Sequence, residues 1–268
     1  MKIYQAIILG IVQGLTEFLP VSSSAHLNLF PWILKWGEMP ESFDVALHIG
    51  TLLAIVIFFF KDWVKLFVGG YNQVVKKKRT TDGKIFWYLV LSTIPAGVLS
   101  LLLDKISKKL FEKSLNVEML VIGITLIVMG IILYLVDKKS KTNTKYEDMT
   151  PKQSMLIGTS QCLAAAFPGV SRSGITMTVA RALGIDREGA ARYSFLLATP
   201  ITAAAVLFDL GKFQFSSIAF WIGIITSFIV GMIIIKFLLN YLKKGSYKAF
   251  AIYRVVIGIA VIITFFTK

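Results

Sequence analysis

The sequence has little cysteine, little histidine and few charged residues of either sign. A single cysteine, Cys162, stands among 268 residues, which excludes an internal disulfide and most metal sites built from cysteine. We expect Cys162 to be a small apolar packing residue. Only 16% of the residues are charged, and the 15 acidic residues are outnumbered by 29 basic ones. The low content of charged residues therefore indicates a largely apolar chain.

The chain consists largely of long apolar runs. Hydrophobic residues make up 56% of it, with a mean hydropathy of +0.72. A helix needs roughly 20 residues to span a bilayer, and several runs approach that length almost without charge. The predicted spans are Val45–Phe60, Ile85–Leu103, Met119–Val136, Tyr193–Phe208, Phe213–Ile235 and Val255–Thr267. The sequence therefore predicts an all-α polytopic membrane protein, with residues 1–268 forming a single integral membrane domain.

The net charge of +14 comes from basic residues that are clustered along the chain. Lys61–Lys84 contains seven of them and is predicted to be a loop, and Asp137–Lys152 is a second lysine-rich stretch. Basic loops of this length normally stay on the cytoplasmic side of a membrane. No soluble domain is expected that could present a basic face, so nucleic acid is not a predicted partner.

One polar stretch, residues 13–26, stands inside the first apolar segment. Glu17 is the only acidic residue deep within an apolar run, and His26 follows shortly after it. Ionisable groups inside a membrane are expensive and are therefore functional candidates. Pro20 predicts that the helix of residues 3–19 ends, because proline disfavours helix in the residue before it.

A second short helix, from about Ser24 to Leu34, is predicted after this break, with Ser22 or Ser23 as its N-cap. Each limb is short for a full crossing, so the pattern favours a re-entrant helical hairpin. Broken backbone at membrane depth is tolerated only where it is buried in protein or faces water.

The opening pattern recurs in the second half of the chain. At a constant offset of 148, the residues Gly158, Gln161, Leu163, Pro168 and Ser171 repeat Gly10, Gln13, Leu15, Pro20 and Ser23. The chain is therefore divided into repeat one, about 1–137, and repeat two, about 152–268. Each repeat is predicted to be a re-entrant hairpin plus three transmembrane helices. Three is an odd number, so we predict inverted-topology repeats whose broken segments meet near the bilayer midplane.

The two hairpins carry different chemistry. Ser171 is predicted to cap a helix starting at Arg172, so two helix N-termini converge with one arginine beside them, an arrangement that attracts anions. At the offset of 148, Glu17 corresponds to Ala165, Ser24 to Arg172 and His26 to Gly174. The first hairpin thus holds acid and base groups and the second an anion clamp, which suggests phosphoryl transfer.

Within this site, we expect Ser23 to be a nucleophile beside His26 as its base. Glu17 is expected to orient His26 or to hold a divalent cation. A purely structural role remains an alternative interpretation for each of these residues. Serines in apolar helices often bond only to backbone carbonyls, and Glu17 with Arg172 could be a structural ion pair.

Three further polar residues are expected to have structural roles. His48 is interpreted as a packing or hydrogen-bonding residue. Gln161 is interpreted as a hydrogen bond between helices. Arg254 follows Lys248 closely and is expected to extend its side chain to the cytoplasmic interface.

Two stretches closely resemble motifs of the undecaprenyl-diphosphate phosphatase family, which is also known for bacitracin resistance. They are residues 13–26 (QGLTEFLPVSSSAH) and 168–174 (PGVSRSG), and the similarity continues through Arg187 and residues 193–200. The resemblance implies a membrane enzyme that removes the terminal phosphate of undecaprenyl diphosphate and recycles the lipid carrier for cell-wall polymer synthesis. It implies a catalytic set and phosphate-contacting neighbours, namely Glu17, Ser23, His26 and Arg172 with Ser171, Ser173 and Thr176. The substrate-binding candidates also include Gln13, Ser22 and Ser24.

The resemblance also implies a divalent cation, Mg²⁺ or Ca²⁺, for which Glu17 is the candidate ligand. It implies a location in the bacterial cytoplasmic membrane, with the site reached from the extracytoplasmic side. Two departures from the family pattern stand out. Gln13 takes the place of a second glutamate found in many members, and Ala25 replaces a frequent glycine.

Two other functions fit the same sequence. A transporter or flippase of an anionic isoprenoid lipid is the alternative, because inverted repeats with broken helices are common in transporters. A structural or regulatory membrane protein is the third. The expected partners are undecaprenyl diphosphate and the lipid bilayer, and the sequence leaves a homodimer open.

Overall fold

A computed structural model describes residues 1–37, 39–111, 115–140, 144–208, 211 and 217–267, and most of them lie in helices. Within those ranges, the only β pairing is an isolated bridge between Thr144 and Ile185. The all-α prediction is therefore confirmed. The helices are α1 (Ile3–Thr16), α2 (Ser23–Leu34), α3 (Glu41–Phe58), α4 (Phe60–Val75), α5 (Thr81–Phe111), α6 (Leu115–Lys139), α7 (Pro151–Ser160), α8 (Cys162–Ala166), α9 (Arg172–Ala182), α10 (Arg187–Phe208), α11 (Ile218–Leu242) and α12 (Lys248–Thr267).

Five of these helices, α5, α6, α10, α11 and α12, are long and apolar enough to cross a bilayer. The pair α3 and α4, bent by 70°, supplies a sixth candidate. The protein is therefore a multi-pass membrane protein, as predicted. The helices α5, α6 and α12 run beyond the predicted spans, because flanking lysines can lie along a helix while their amines reach water. The helix α3 instead ends at Phe58, inside the predicted span Val45–Phe60. The start of the predicted span Phe213–Ile235 lies outside the described residues.

The predicted loop Lys61–Lys84 was wrong, because most of it forms the helix α4. Apolar residues recur there at helical spacing between the lysines, and Phe67 and Tyr71 are exposed while Gly69 and Gly70 pack on α5. A helix with separate apolar and charged faces suits the membrane surface. Only a short basic stretch, residues 76–80, connects α4 to α5.

Glycines let the helices that carry the site pack closely. A Cβ added at Gly10 of α1 would lie 2.7 Å from Thr226 of α11, and one at Gly158 of α7 would lie 2.4 Å from Ser92 of α5. Gly123 of α6 contacts α12 in the same way. Each glycine allows an approach of two backbones that any side chain would obstruct.

Two chain breaks interrupt the short helices. The first break, residues 17–22, separates α1 from α2, and the second break, residues 167–171, separates α8 from α9. The helix α1 is about 21 Å long, well short of the roughly 30 Å of a bilayer core. The predicted chain breaks are therefore present, although α1 ends before Pro20, at Thr16.

Candidate active site

Each break ends on a serine whose backbone has a positive φ. Ser22 has φ 77° and ψ 99°, and Ser171 has φ 69° and ψ 114°. Their hydroxyls accept hydrogen bonds from the backbone amides of Ala25 and Gly174, at 3.4 and 3.0 Å. The predicted caps are thus confirmed. A non-glycine residue in such a conformation costs of the order of 1–3 kcal/mol and is typical of ligand sites.

The two capped turns match one another once a one-residue insertion in the second half is allowed for. Each cap hydroxyl lies 3.3 Å from the hydroxyl of the serine two residues later, so that Ser22 matches Ser171. The extra residue is Gly169, which increases the offset to 149 beyond the prolines. The predicted correspondences of Ser24 with Arg172 and of His26 with Gly174 are therefore wrong by one residue. Instead, Ser23 and Arg172 share the position directly after the cap.

The central feature of the site is an ion pair between the breaks. Arg172 donates from Nη2 to Oε1 of Glu17, although the two residues are 155 positions apart. The Glu17 side chain is only 7% exposed, and the other guanidinium nitrogen, Nη1, donates to Oγ1 of Thr202 at 2.6 Å. The carboxylate of Glu17 and the guanidinium of Arg172, one from each half of the chain, therefore lie together, as the sequence predicted.

The pair lies beside a cavity of about 230 Å³ that both breaks enclose. The cavity is lined by Glu17, Ser22, Ser23, Ser24, His48, Ser100, Gln161, Ala164, Ala165, Ser171, Arg172, Ser173 and Ile201. Two helix N-termini, with backbone N–H groups and a positive dipole end, border the same cavity. Arginine adds a planar fork that suits phosphate oxygens. The cavity therefore combines groups that attract an anion with a carboxylate.

Comparison with known proteins identifies the family of the chain. The family model described as "Bacitracin resistance protein BacA" matches residues 6–260. The chain belongs to the BacA family.

Its relatives in the BacA family share the full length of the chain. A protein of Pelotomaculum thermopropionicum, named "Undecaprenyl-diphosphatase", is 47% identical over 265 residues, covering 98% of this chain and 97% of the relative. A protein of the same name from Moorella thermoacetica is 41% identical over 270 residues, covering 100% of both. Another, from Caldicellulosiruptor bescii, is 44% identical over 272 residues, covering 99% and 98%.

Ser23 of this BacA-family chain is hydrogen-bonded to Glu17 rather than to His26. Its hydroxyl donates to Oε2 of Glu17 at 2.6 Å. Nδ1 of His26 lies 2.7 Å from the carbonyl oxygen of Ser22, and Nε2 lies 2.8 Å from the hydroxyl of Tyr253. Because a carbonyl can only accept, Nδ1 carries the proton and Nε2 accepts from the tyrosine when the ring is neutral.

The predicted contacts of His26 were therefore wrong. Neither Ser23 nor Glu17 is hydrogen-bonded to His26, which is 3% exposed and stacks on Tyr253 with ring centroids 5.6 Å apart. The imidazole instead holds the carbonyl of the capping residue Ser22. A catalytic role for His26 stays a prediction, but the group in contact with the Ser23 hydroxyl is the carboxylate of Glu17.

Three of the predicted substrate-binding residues make hydrogen bonds to other residues of the site or of the neighbouring helix α10. Ser173 donates to the backbone carbonyl of Glu17 at 3.1 Å, which ties α9 to the first break, and its side chain also lines the cavity. Thr176 is buried and shares a 2.6 Å hydrogen bond with Ser194 of α10. Gln13 donates from Nε2 to Oε2 of Glu17 at 3.1 Å.

Arg254 joins the two breaks, and the expectation that it reaches the cytoplasmic interface was wrong. It is 1% exposed and donates to the carbonyls of Pro20 at 3.1 Å and Gly169 at 2.9 Å, with further bonds to Val170 and Leu126. An arginine in an apolar helix was the available signal. The interfacial position was predicted from the closeness of Arg254 to Lys248, but sequence distance does not show which way a side chain points.

The predicted hydrogen-bonding role of His48 is confirmed, because its Nδ1 lies 2.8 Å from the carbonyl oxygen of Asp44. The predicted hydrogen bond of Gln161 between helices is wrong, because neither of its side-chain amide atoms has a partner among the described residues. Nε2 of His48 lies 3.7 Å from Oε2 of Glu17, and both His48 and Gln161 line the cavity. The signal for His48 was a second histidine in an apolar span. For Gln161 it was the repeat itself, which matches it to Gln13.

The described residues at the cavity supply too few metal ligands to bind a divalent cation without a substrate. Over the described ranges, no three histidine, cysteine, aspartate or glutamate side chains are grouped to hold a metal. Glu17 is the carboxylate that lines the cavity, and the buried Oε1 of Gln13 has no hydrogen-bond partner. Magnesium is usually held by one or two carboxylates together with substrate phosphates and water. The residues therefore fit a cation that is held partly by Glu17 and partly by the oxygens of a bound phosphate.

Proposed function

We propose that this protein hydrolyses undecaprenyl diphosphate to undecaprenyl phosphate and inorganic phosphate, which recycles the lipid carrier. The observation that carries the proposal is the contact between Glu17 and Arg172 beside a cavity bordered by two capped helix N-termini. Full-length relatives named "Undecaprenyl-diphosphatase" support the same substrate. Membership of a family described by bacitracin resistance fits this role.

The geometry supports a role for each residue in the reaction. An incoming diphosphate competes with Glu17 for Arg172, because the guanidinium pairs at least as well with phosphate oxygens. Glu17 Oε1 is then released. Ser23 attacks the terminal phosphorus while its hydroxyl proton passes to Glu17, the bond to the bridging oxygen breaks, and undecaprenyl phosphate leaves. Water then hydrolyses the phosphoserine and releases inorganic phosphate, which regenerates Ser23.

A direct attack by water is the alternative. Glu17 would then take the proton of the water, and Ser23 would only contact the phosphate. In both routes, catalysis rests on positioning and charge stabilisation. The routes differ in one intermediate, so rapid acid quenching followed by mass spectrometry of the Ser23 peptide distinguishes them.

We include a divalent cation, Mg²⁺ or Ca²⁺, in the proposal. Glu17 would hold it together with the substrate phosphates. The cation would supply charge neutralisation to the diphosphate. Treatment with a chelator, followed by addition of single metals, tests this requirement by phosphate release and by the thermal shift that each metal produces.

We further propose that the two halves are inverted-topology repeats with re-entrant hairpins. The matching caps Ser22 and Ser171 support this, as do the equivalent glycines Gly10 and Gly158. Each of those glycines packs against a helix of the other half, α11 or α5. Labelling of single introduced cysteines from each side of the membrane tests the topology.

We place the protein in the bacterial cytoplasmic membrane, with its site towards the extracytoplasmic side. Asp137 accepts from Arg187 at 2.8 Å and from the backbone of Tyr247 at 3.1 Å, so three segments near basic clusters meet at one end of the molecule. By the positive-inside rule that end is cytoplasmic. Ile201, which lines the cavity, lies about 21 Å along α10 from Arg187 at that end.

Phosphate release from undecaprenyl diphosphate by the purified protein in detergent tests the function. No transmembrane gradient exists there, so the alternative, a transporter or flippase of an anionic isoprenoid lipid, would release no phosphate. The broken helices favour that alternative only as an architecture. Absence of phosphate release by the metal-supplied protein would overturn the proposal. A homodimer stays a prediction, which light scattering of the same sample can check.

A further inference from the structure

Gln161, at the junction of α7 and α8, has a buried side-chain amide with no partner. The residue is 3% exposed, and neither its Nε2 nor its Oε1 has a hydrogen-bond partner among the described residues. Within those residues it is the one side chain with two buried polar atoms in this condition. Buried polar groups are nearly always satisfied, so each exception calls for a physical reason.

The unsatisfied amide belongs to the polar cavity. Gln161 lines the same cavity as Glu17, Ser23 and Arg172. A polar group that enters the cavity is therefore in a position to supply the missing hydrogen-bond partner.

Comparison of the two halves explains why Gln161 is available. Its counterpart Gln13, in α1, donates to Glu17, four residues further along the chain. Four residues beyond Gln161 stands Ala165, which has no acceptor and itself lines the cavity. The loss of the carboxylate in the second half leaves both the amide and the adjacent space free.

We propose that Gln161 is a substrate-contacting residue whose Nε2 donates a hydrogen bond to a phosphate oxygen of the diphosphate. The inference rests on the proposed function and deepens it. With neither amide atom engaged, the side chain can turn its NH₂ group towards the phosphate without breaking another bond. Oε1 then accepts from water that enters with the charged group.

The test is Gln161→Met, which keeps the length of the side chain and removes its polar atoms. In detergent, kcat/KM for undecaprenyl diphosphate should fall about 10- to 100-fold, mostly through KM, as expected for a hydrogen bond to a charged group. The inhibition constant of inorganic diphosphate should rise by a similar factor. The Tm without ligand should stay the same or rise, because two unsatisfied buried atoms are removed.

Two variants sharpen the result. Gln161→Glu keeps the shape but places a negative charge against the phosphate, and its KM should exceed that of Gln161→Met. Gln73→Met is the matched control, because Oε1 of Gln73 is also buried without a partner but the residue does not line the cavity. Its KM should stay within twofold of the wild-type value.

Two outcomes would overturn the inference. One is a KM and an inhibition constant within twofold of wild type in Gln161→Met. The other is a lower Tm with unchanged KM, which indicates a structural residue. Failure of the proposed function is separate: the wild type would release no phosphate, yet stabilisation by inorganic diphosphate that is lost in Gln161→Met would still support the contact.

Discussion

The two chain breaks share a backbone but differ in the side chains that they carry. Both end on a capping serine with positive φ, and both have a second serine hydroxyl 3.3 Å from the cap. The first half adds Glu17 in its break and Ser23 directly after it. The second half has Arg172 directly after its break and Ala165, in α8, where a carboxylate would repeat. The matching part places two helix N-termini at the cavity, and the unmatched positions carry the charged side chains.

Such a division follows from electrostatics. A carboxylate at position 165 as well would compete with the diphosphate for Arg172, and an arginine in each half without a carboxylate would bind phosphate but offer no proton acceptor. One of each, in contact between the two halves, gives an ion pair of a buried carboxylate and a partly exposed guanidinium. The two breaks therefore match in backbone conformation and capping, and they differ at the positions of the charged side chains.

The largest expected effect comes from removing the carboxylate of the first break. Glu17→Gln keeps the size of the side chain but removes the acceptor of the Ser23 proton, so phosphate release should fall about 1,000-fold. A coupled phosphate assay in detergent measures it. The double variant Glu17→Ala with Ala165→Glu places the carboxylate on the other break and should stay inactive, because Ser23 remains on the first. Recovery of activity would contradict the division between the breaks.

The next effect concerns the residue that joins the breaks. Arg254→Met leaves several buried carbonyls without donors, and we expect the free energy of unfolding to fall by about 3 kcal/mol or more. Denaturant unfolding in detergent measures it. Arg79→Met, in an exposed stretch between α4 and α5, is the control and should change stability by no more than about 0.5 kcal/mol. Equal effects of the two variants would show that Arg254 does not hold the breaks together.

A smaller effect separates two roles of His26. If its main role is to hold the carbonyl of Ser22, His26→Asn should retain about tenfold more activity than His26→Ala, because the asparagine amide can still donate to that carbonyl. Tyr253→Phe should cost only a few-fold. Steady-state phosphate release decides between the roles, since a histidine that acts as the general base would leave both His26 variants equally inactive.

The smallest effects should be equal in the two breaks. Ser22→Ala and Ser171→Ala each remove an N-cap and should lower the free energy of unfolding by about 1 kcal/mol. Ser22→Gly and Ser171→Gly should cost only a few tenths of a kcal/mol, because glycine adopts a positive φ readily. Thermal unfolding of the four variants measures this. A neutral alanine variant at one cap alone would show that the breaks are not equivalent.

Much of the site was predictable because its signals are local in sequence. A charged residue in an apolar run marked Glu17, and a proline and serines marked each break. The correspondence between the breaks was predicted one residue out, because Gly169 is an insertion that a constant offset cannot represent. The helix α4 was missed because lysines were weighed more heavily than the helical spacing of the apolar residues between them.

The sequence by itself determined the membrane class, the two breaks and the residues that face each other across them. It did so because hydropathy and helix termination depend on neighbouring residues. Only the tertiary structure decided that Ser23 is paired with Glu17, that His26 is held by Ser22 and Tyr253, and that Arg254 joins the breaks. These contacts depend on the rotation of packed helices and on the rotamers of single side chains, neither of which a pattern of residue types contains.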